Sequence, residues 1–179
     1  MIPYGGKELA SAFRTVRKNT IQVAEDIPES KYGFVAATEV RSVARMLTHI
    51  AIATWMSEDI HKTKRLTTMV GYDFFGLIDR FNAEEAKIRS KAEILELLRT
   101  EGERFAAWME TLTPEFLAEM VTEPDGKATK SRFERLLGVK EHEMHHRAQL
   151  MLIERELGVV PHLTRQFNER VAQMRAARA

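Results

Sequence analysis

Three of the six histidines in this 179-residue chain fall within five positions, in the string Glu141-His142-Glu143-Met144-His145-His146-Arg147-Ala148-Gln149. In an α-helix, residues four apart differ by about 40° around the axis and about 6 Å along it. His142 and His146 therefore project side by side, an arrangement that lets two imidazoles hold one metal ion. The chain has no cysteine, so a transition metal here must rely on His, Asp, Glu and water. His142 to His146 also matches the His-Glu-x-x-His string of zinc metalloproteases, in which the glutamate is the general base. That chemistry needs a further ligand downstream and a sheet to hold a peptide. The next histidine, His162, lies beyond Gly158 and Pro161, and no such sheet is foreseen. Glu143 also sits about 100° from His142 on the helical wheel, which argues against a direct base role.

A third ligand can instead come from an earlier helix. His49 is flanked by Leu47, Ile50 and Ile52. Its neighbours leave two readings open: a packed, hydrogen-bonded core histidine, or a ligand facing His142 and His146. A di-iron site is a further alternative. It would use Glu58-x-x-His61 and Glu143-x-x-His146, with Glu25 from the first helix and Glu93, Glu96, Glu101 or Glu103 from the third. Glu25, Glu58 and His61 lie near helix ends, where surface charge explains them more simply. His145 lies about 60° from His142 and is placed to support a ligand, and Gln149 to line a pocket. Arg147 points away from the ligand stripe, which fits an ion pair or helix packing. No general base stands out.

Four long amphipathic segments must position these residues. The first runs from about Lys7 to Ile27, with Leu9, Phe13, Val16, Thr20, Val23 and Ile27 on one face and Pro28 as its stop. The second spans about Thr38 to His61. Its stripe is Val43, Met46, Leu47, Ile50, Ala53 and Thr54, but Ile52, Trp55 and Met56 make it apolar most of the way round, as in a central helix. The third opens at Asn82 with Glu85 as its capping partner and ends at Thr113-Pro114. Pro124-Asp125-Gly126 marks a turn. The fourth opens on a Ser131/Glu134 capping box, runs to Leu157 and stops at Gly158. With no strand foreseen, the fold class is all-α, a four-helix bundle whose fourth helix is antiparallel to the third. A single domain is expected over residues 1–179, with its core at about 8–158 and a tail at 159–179. Thr63 to Phe81 reads as a long connection carrying Tyr72, Phe74, Phe75 and Phe81. These aromatics either cover one end of the core or form a lid. The expectation is a pocket that opens near His49 with this segment in its wall.

The 27 Lys+Arg residues against 26 Asp+Glu leave a net charge of +1, which excludes a protein held to nucleic acid by its overall field. Arg165, Arg170, Arg175 and Arg178 in the tail read as a solvated terminal helix. No apolar run approaches the roughly 18–20 residues that span a bilayer, and the start lacks a signal-peptide layout. The chain is expected to be cytoplasmic, without membrane or nucleic-acid partners. The all-round apolar second helix suggests a homodimer.

The string His142-x-x-x-His146-Arg147-x-Gln149, closing a chain of four helices, resembles the DinB/YfiT-like family. Phe13-Arg14-Thr15-Val16-Arg17, Ile27-Pro28 and the stretch from Val40 to His49 are similar to it as well, so the resemblance covers about residues 8–158. The family often has Gly where Ala148 stands. The resemblance implies that His49, His142 and His146 together bind one divalent metal, zinc or nickel; because only neutral imidazoles ligate, affinity is expected to fall as pH drops through the free-histidine range near 6.5. It implies a metal-dependent enzyme acting on a small molecule: a hydrolase, or an S-transferase using a low-molecular-weight thiol. A metal-binding stress-response protein without turnover is the alternative.

Overall fold

The computed structural model describes residues 4–178. The spaced apolar residues of the first segment form α1 (Gly6–Asp26), which buries Leu9, Phe13, Val16, Thr20 and Val23. It stops just before Pro28, and Tyr32 then folds back so that its hydroxyl donates to the Ala24 carbonyl at 2.8 Å.

The second segment is shorter and less regular than its apolar pattern predicts. α2 (Val43–Ile52) opens at Ser42, whose hydroxyl accepts from the Arg45 N–H. A serine at that point offers the first turn a cap that Thr38 does not. Through Ala53, itself in right-handed helical conformation, the chain continues into α3 (Thr54–Ser57) and a π-helical turn at Glu58–Thr63. The wider turn resets the inward face, so that Glu58, Ile60 and His61 are all buried. α2 buries Val43, Met46, Leu47, Thr48, His49, Ile50, Ala51 and Ile52 within this chain. Its all-round apolar surface is therefore used up inside the bundle and does not itself call for a second copy.

Thr63 to Phe81 is not a plain connection. Asp73 caps α4 (Phe74–Glu85), its carboxylate accepting from the Gly76 N–H at 2.8 Å. The Asn82/Glu85 pair, expected to open the third bundle helix, falls in the last turn of α4 instead. That helix opens eight residues later than expected, as α5 (Lys91–Glu110), where Ser90 and Glu93 make the reciprocal capping bonds. An Asn three residues before a Glu can lie inside a helix; only the made bonds identify a cap.

After the short α6 (Pro114–Ala118), β1 (Met120–Thr122) and β2 (Thr129–Ser131) pair antiparallel around the Pro124–Gly126 turn, with Met120 opposite Ser131. This hairpin corrects the strandless expectation. Ser131 and Glu134 then open α7 (Arg132–Glu156) with a complete capping box, and Gly158 follows in the left-handed region at φ 78°. α8 (His162–Ala176) buries only His162, half-buries Leu163, Thr164 and Val171 and exposes the rest, as a solvated terminal helix should.

α1, α2, α5 and α7 form the four-helix bundle, with α1 lying against α5 and α7, and α2 against α5, α4 and α7. One core cluster joins Val23, Ile27, Leu47, Ile50, Leu98 and Leu150, and a second joins Leu9, Phe13, Phe105, Met109 and Leu136. Among the described residues, no helix is long and apolar enough to cross a membrane.

Candidate metal centre

α2 and α7 bring His49, His142 and His146 together, with one nitrogen of each ring within 4.8 Å of the others. The His142 Nε2 atom lies 3.2 Å from His49 Nε2 and 3.2 Å from His146 Nε2. Three nitrogens about 2.0–2.1 Å from one ion are spaced about 2.9 Å on an octahedral face and about 3.3 Å on a tetrahedral one. The observed spacing falls between these, so the residues fit a single divalent ion.

The outer nitrogens fix the rings. His49 Nδ1 donates to Glu85 Oε1 at 2.8 Å, and His146 Nδ1 donates to Gln149 Oε1 at 2.9 Å. With those protons on Nδ1, both Nε2 lone pairs point to the centre. Glu85 is the last residue of α4, and its side chain is wholly buried. Its second oxygen accepts from Arg41 Nε at 2.7 Å. Burial opposes charge on Glu85, but the bonds from Arg41 and His49 outweigh it and hold the carboxyl below its ordinary range.

The three imidazoles resist protonation. Burial, then the charge of Arg41, lowers His49 despite Glu85. Burial, then the neighbouring His146 and His49, pushes His142 down to about 4. Burial also lowers His146, against the opposing bond to Gln149. All three are thus neutral at pH 7, the form that ligates.

The other candidates lie apart from this cluster. Glu143 is buried, and its carboxylate accepts from Arg17 Nε at 3.0 and 3.1 Å. It serves an ion pair, so the His-Glu-x-x-His string has no free base. Glu58 is engaged by Arg104 and by Lys62. The two Glu-x-x-His glutamates of the di-iron alternative are therefore held elsewhere. Arg147 Nη1 donates to the Val16 carbonyl at 3.2 Å, which is the packing role. His145 is exposed beside the Gln149 amide, and His162 Nε2 donates to Asn19 Oδ1.

A cavity of about 550 Å³ opens beside His49 and His142. Ala53, Met56, Ile60, Phe81 and Val139 give it an apolar wall, and it extends to His61 and Arg135. Phe81 is the one residue of the Thr63 to Phe81 segment in that wall. Tyr72 and Phe74 instead pack with Ile60, Met69 and Val121. Most of the segment therefore covers a small core, because the hairpin supplies Val121 for it to pack on.

Glu85 is the functional residue that sequence reasoning missed. It lies 36 residues from His49, and its local pattern mimics a cap. Gln149, expected to line a pocket, instead supports the His146 ring, the role expected of His145, and it is not among the residues that line the cavity.

The family model of the DinB superfamily matches residues 12–150 of the chain. No curated protein matches. Among solved structures, the chain is similar to the DinB-like protein YjoA of Bacillus subtilis, at 22% identity and a TM-score of 0.62, covering 84% of this chain and 92% of that one. It is also similar to YfiT of Bacillus subtilis, at 17% identity and a TM-score of 0.67, covering 86% and 88%. YfiT is described as a probable metal-dependent hydrolase with an unusual four-helix bundle topology.

Proposed function

The chain belongs to the DinB superfamily, and from that premise we propose that His49, His142 and His146 hold one divalent ion, zinc or nickel, in a metal-dependent enzyme acting on a small molecule. The observation that carries this reading is the convergence of three ring nitrogens within 4.8 Å, with His142 Nε2 3.2 Å from both of the others and the protons of those two rings fixed on the far nitrogen. When bound between three neutral imidazoles, such an ion keeps its double charge and an open position, and there supplies Lewis-acid activation of a water or a thiol.

The chain's own residues do the rest. Glu85 and Gln149 orient two of the rings. Met56, Ile60, Phe81 and Val139 give the cavity beside them an apolar side that fits an apolar part of a substrate, while Glu123, Lys130, Glu134 and Arg135 give it a charged one. His61 lines the same cavity as a neutral hydrogen-bond donor, because Arg132 Nη1 occupies its Nδ1 at 2.9 Å and leaves the proton on Nε2.

The likeness to YfiT supports hydrolysis; the open position supports equally an S-transferase using a low-molecular-weight thiol. The cavity favours turnover over the alternative of a stress-response protein that only binds metal. The reading extends to a homodimer, carried by the exposed Phe167 and Met174 of α8 in place of α2, and sedimentation velocity tests it. The activity test is a screen of untagged, zinc- or nickel-loaded protein against esters, amides and electrophiles, with and without thiols. Turnover that disappears in His142→Ala supports the enzyme; stoichiometric metal without turnover on any class supports the binding protein.

A further inference from the structure

We propose that Arg17 is a positioning residue for the metal centre, a clamp that sets the separation of the two ligand-bearing helices. The proposal rests on the three-histidine reading above and goes beyond it to a residue of α1, a helix that contributes no ligand.

Arg17 is only 4% exposed. Its guanidinium reaches all three other bundle helices. Nε donates to both Glu143 oxygens at 3.0 and 3.1 Å, and Nη2 to Glu143 Oε2 at 3.0 Å, which holds α7. Nη2 also donates to the Ile50 carbonyl at 3.2 Å, which holds α2. Nη1 donates to the Leu98 carbonyl at 2.7 Å on α5. Ile50 directly follows His49, and Glu143 directly follows His142. One rigid, planar fork therefore fastens the residue next to a ligand on each ligand-bearing helix.

α5 is built to let this side chain pass. Gly102 sits in the interior of α5, where glycine is disfavoured. A Cβ there would stand 2.8 Å from Arg17 Cγ and 2.9 Å from Arg17 Nη1. Alanine would improve the helix but displace the arginine. The glutamate of the His-Glu-x-x-His string thus acquires a different role: it is the anchor on α7. Metal ligands must be held to within about 0.5 Å. A small slide of α2 against α7 would take the His49–His142 spacing out of the range that one ion bridges, and the clamp opposes that slide.

A buried ion pair can also be plain structure, so the test separates the two roles. Removing one partner of such a pair is strongly destabilising, whereas replacing both with apolar residues of similar size is often tolerated. The double variant Arg17→Met/Glu143→Leu is compared with wild type and with Leu9→Ala, a core truncation on the same helix but in the second cluster. Zinc affinity is read by chelator competition, ligand geometry by the visible absorption of the cobalt(II) form, and folding by thermal melting in chelator. The double variant should stay folded, bind zinc about tenfold more weakly and change its cobalt bands. Leu9→Ala should melt earlier yet keep its affinity and bands. Gly102→Ala carries the same test by pushing Arg17 aside, and decides it if the double variant does not fold. A folded double variant or Gly102→Ala with wild-type affinity and spectrum would overturn the clamp. If wild type itself takes up neither metal, the three-histidine reading fails and the clamp falls with it.

Discussion

His49 and His61 line the same cavity, twelve residues apart on the path that runs from α2 into the π turn, and both are buried. Their neighbours give them opposite chemistry. At His49, the Glu85 carboxylate accepts from Nδ1 and frees Nε2 as a ligand. At His61, Arg132 donates into Nδ1, so the remaining proton sits on Nε2 and the ring is a donor. Burial, then the charges of Arg132 and Arg135, pushes His61 down to about 3. The same side chain, equally neutral at pH 7, can ligate at one place and only donate at the other. What decides is the sign of the charge on the group that Nδ1 meets: a carboxylate that accepts, or a guanidinium that donates.

The largest effects should come from removing the ligands themselves. His142→Ala or His146→Ala should abolish stoichiometric zinc uptake in equilibrium dialysis, and His49→Ala should do nearly the same. His61→Ala should leave uptake intact. Equal losses at His61 and His49 would break the contrast between the two histidines.

Glu85→Gln should weaken zinc binding by about 10- to 100-fold, the usual effect of losing a carboxylate behind a ligating histidine. Nitrogen NMR of the metal-free variant should show the proton of His49 no longer confined to Nδ1, with His61 unchanged.

The pH dependence sharpens the comparison further. His142 and His61 titrate at about 4 and about 3 in the folded chain, against about 6.5 when unfolded. Between those values the unfolded chain binds more protons, so folding stability should fall as pH drops below about 6.5. Denaturant midpoints in chelator at pH 7 and pH 5 measure this. Zinc uptake should survive to lower pH than free imidazoles allow, because burial lowers all three rings below the ordinary imidazole range. An affinity that collapses at 6.5 would place the ligands in ordinary solvent.

The smallest effect is expected at His145→Ala. Its exposed ring meets the Gln149 amide at 3.4 Å and lies edge-on to His146 but sends no nitrogen into the cluster, so zinc affinity should change little.

Helical spacing made the bundle and two of the three ring positions legible. Positions four apart on α7 must meet, whatever the rest of the chain does. Capping boxes fixed the start of α7 correctly because Ser131 and Glu134 bond only to each other's backbone and side chain. The start of α5 was misplaced because Asn82 and Glu85 imitate the same signal within α4. The third histidine came from family resemblance, since the wheel of α2 leaves His49 on the flank of its stripe. Glu85 and Arg17 were not legible as site residues. Their partners are 36 and 126 residues away, and a charged residue gives no local sign of which distant group it will meet.

The most direct test of the metal centre is X-ray absorption on untagged, zinc-loaded protein, with His146→Ala as its partner sample. The account predicts one zinc per chain with three nitrogen neighbours at about 2.0–2.1 Å, and loss of that shell in the variant. Failure of wild type to bind zinc, or a shell unchanged by His146→Ala, would contradict it.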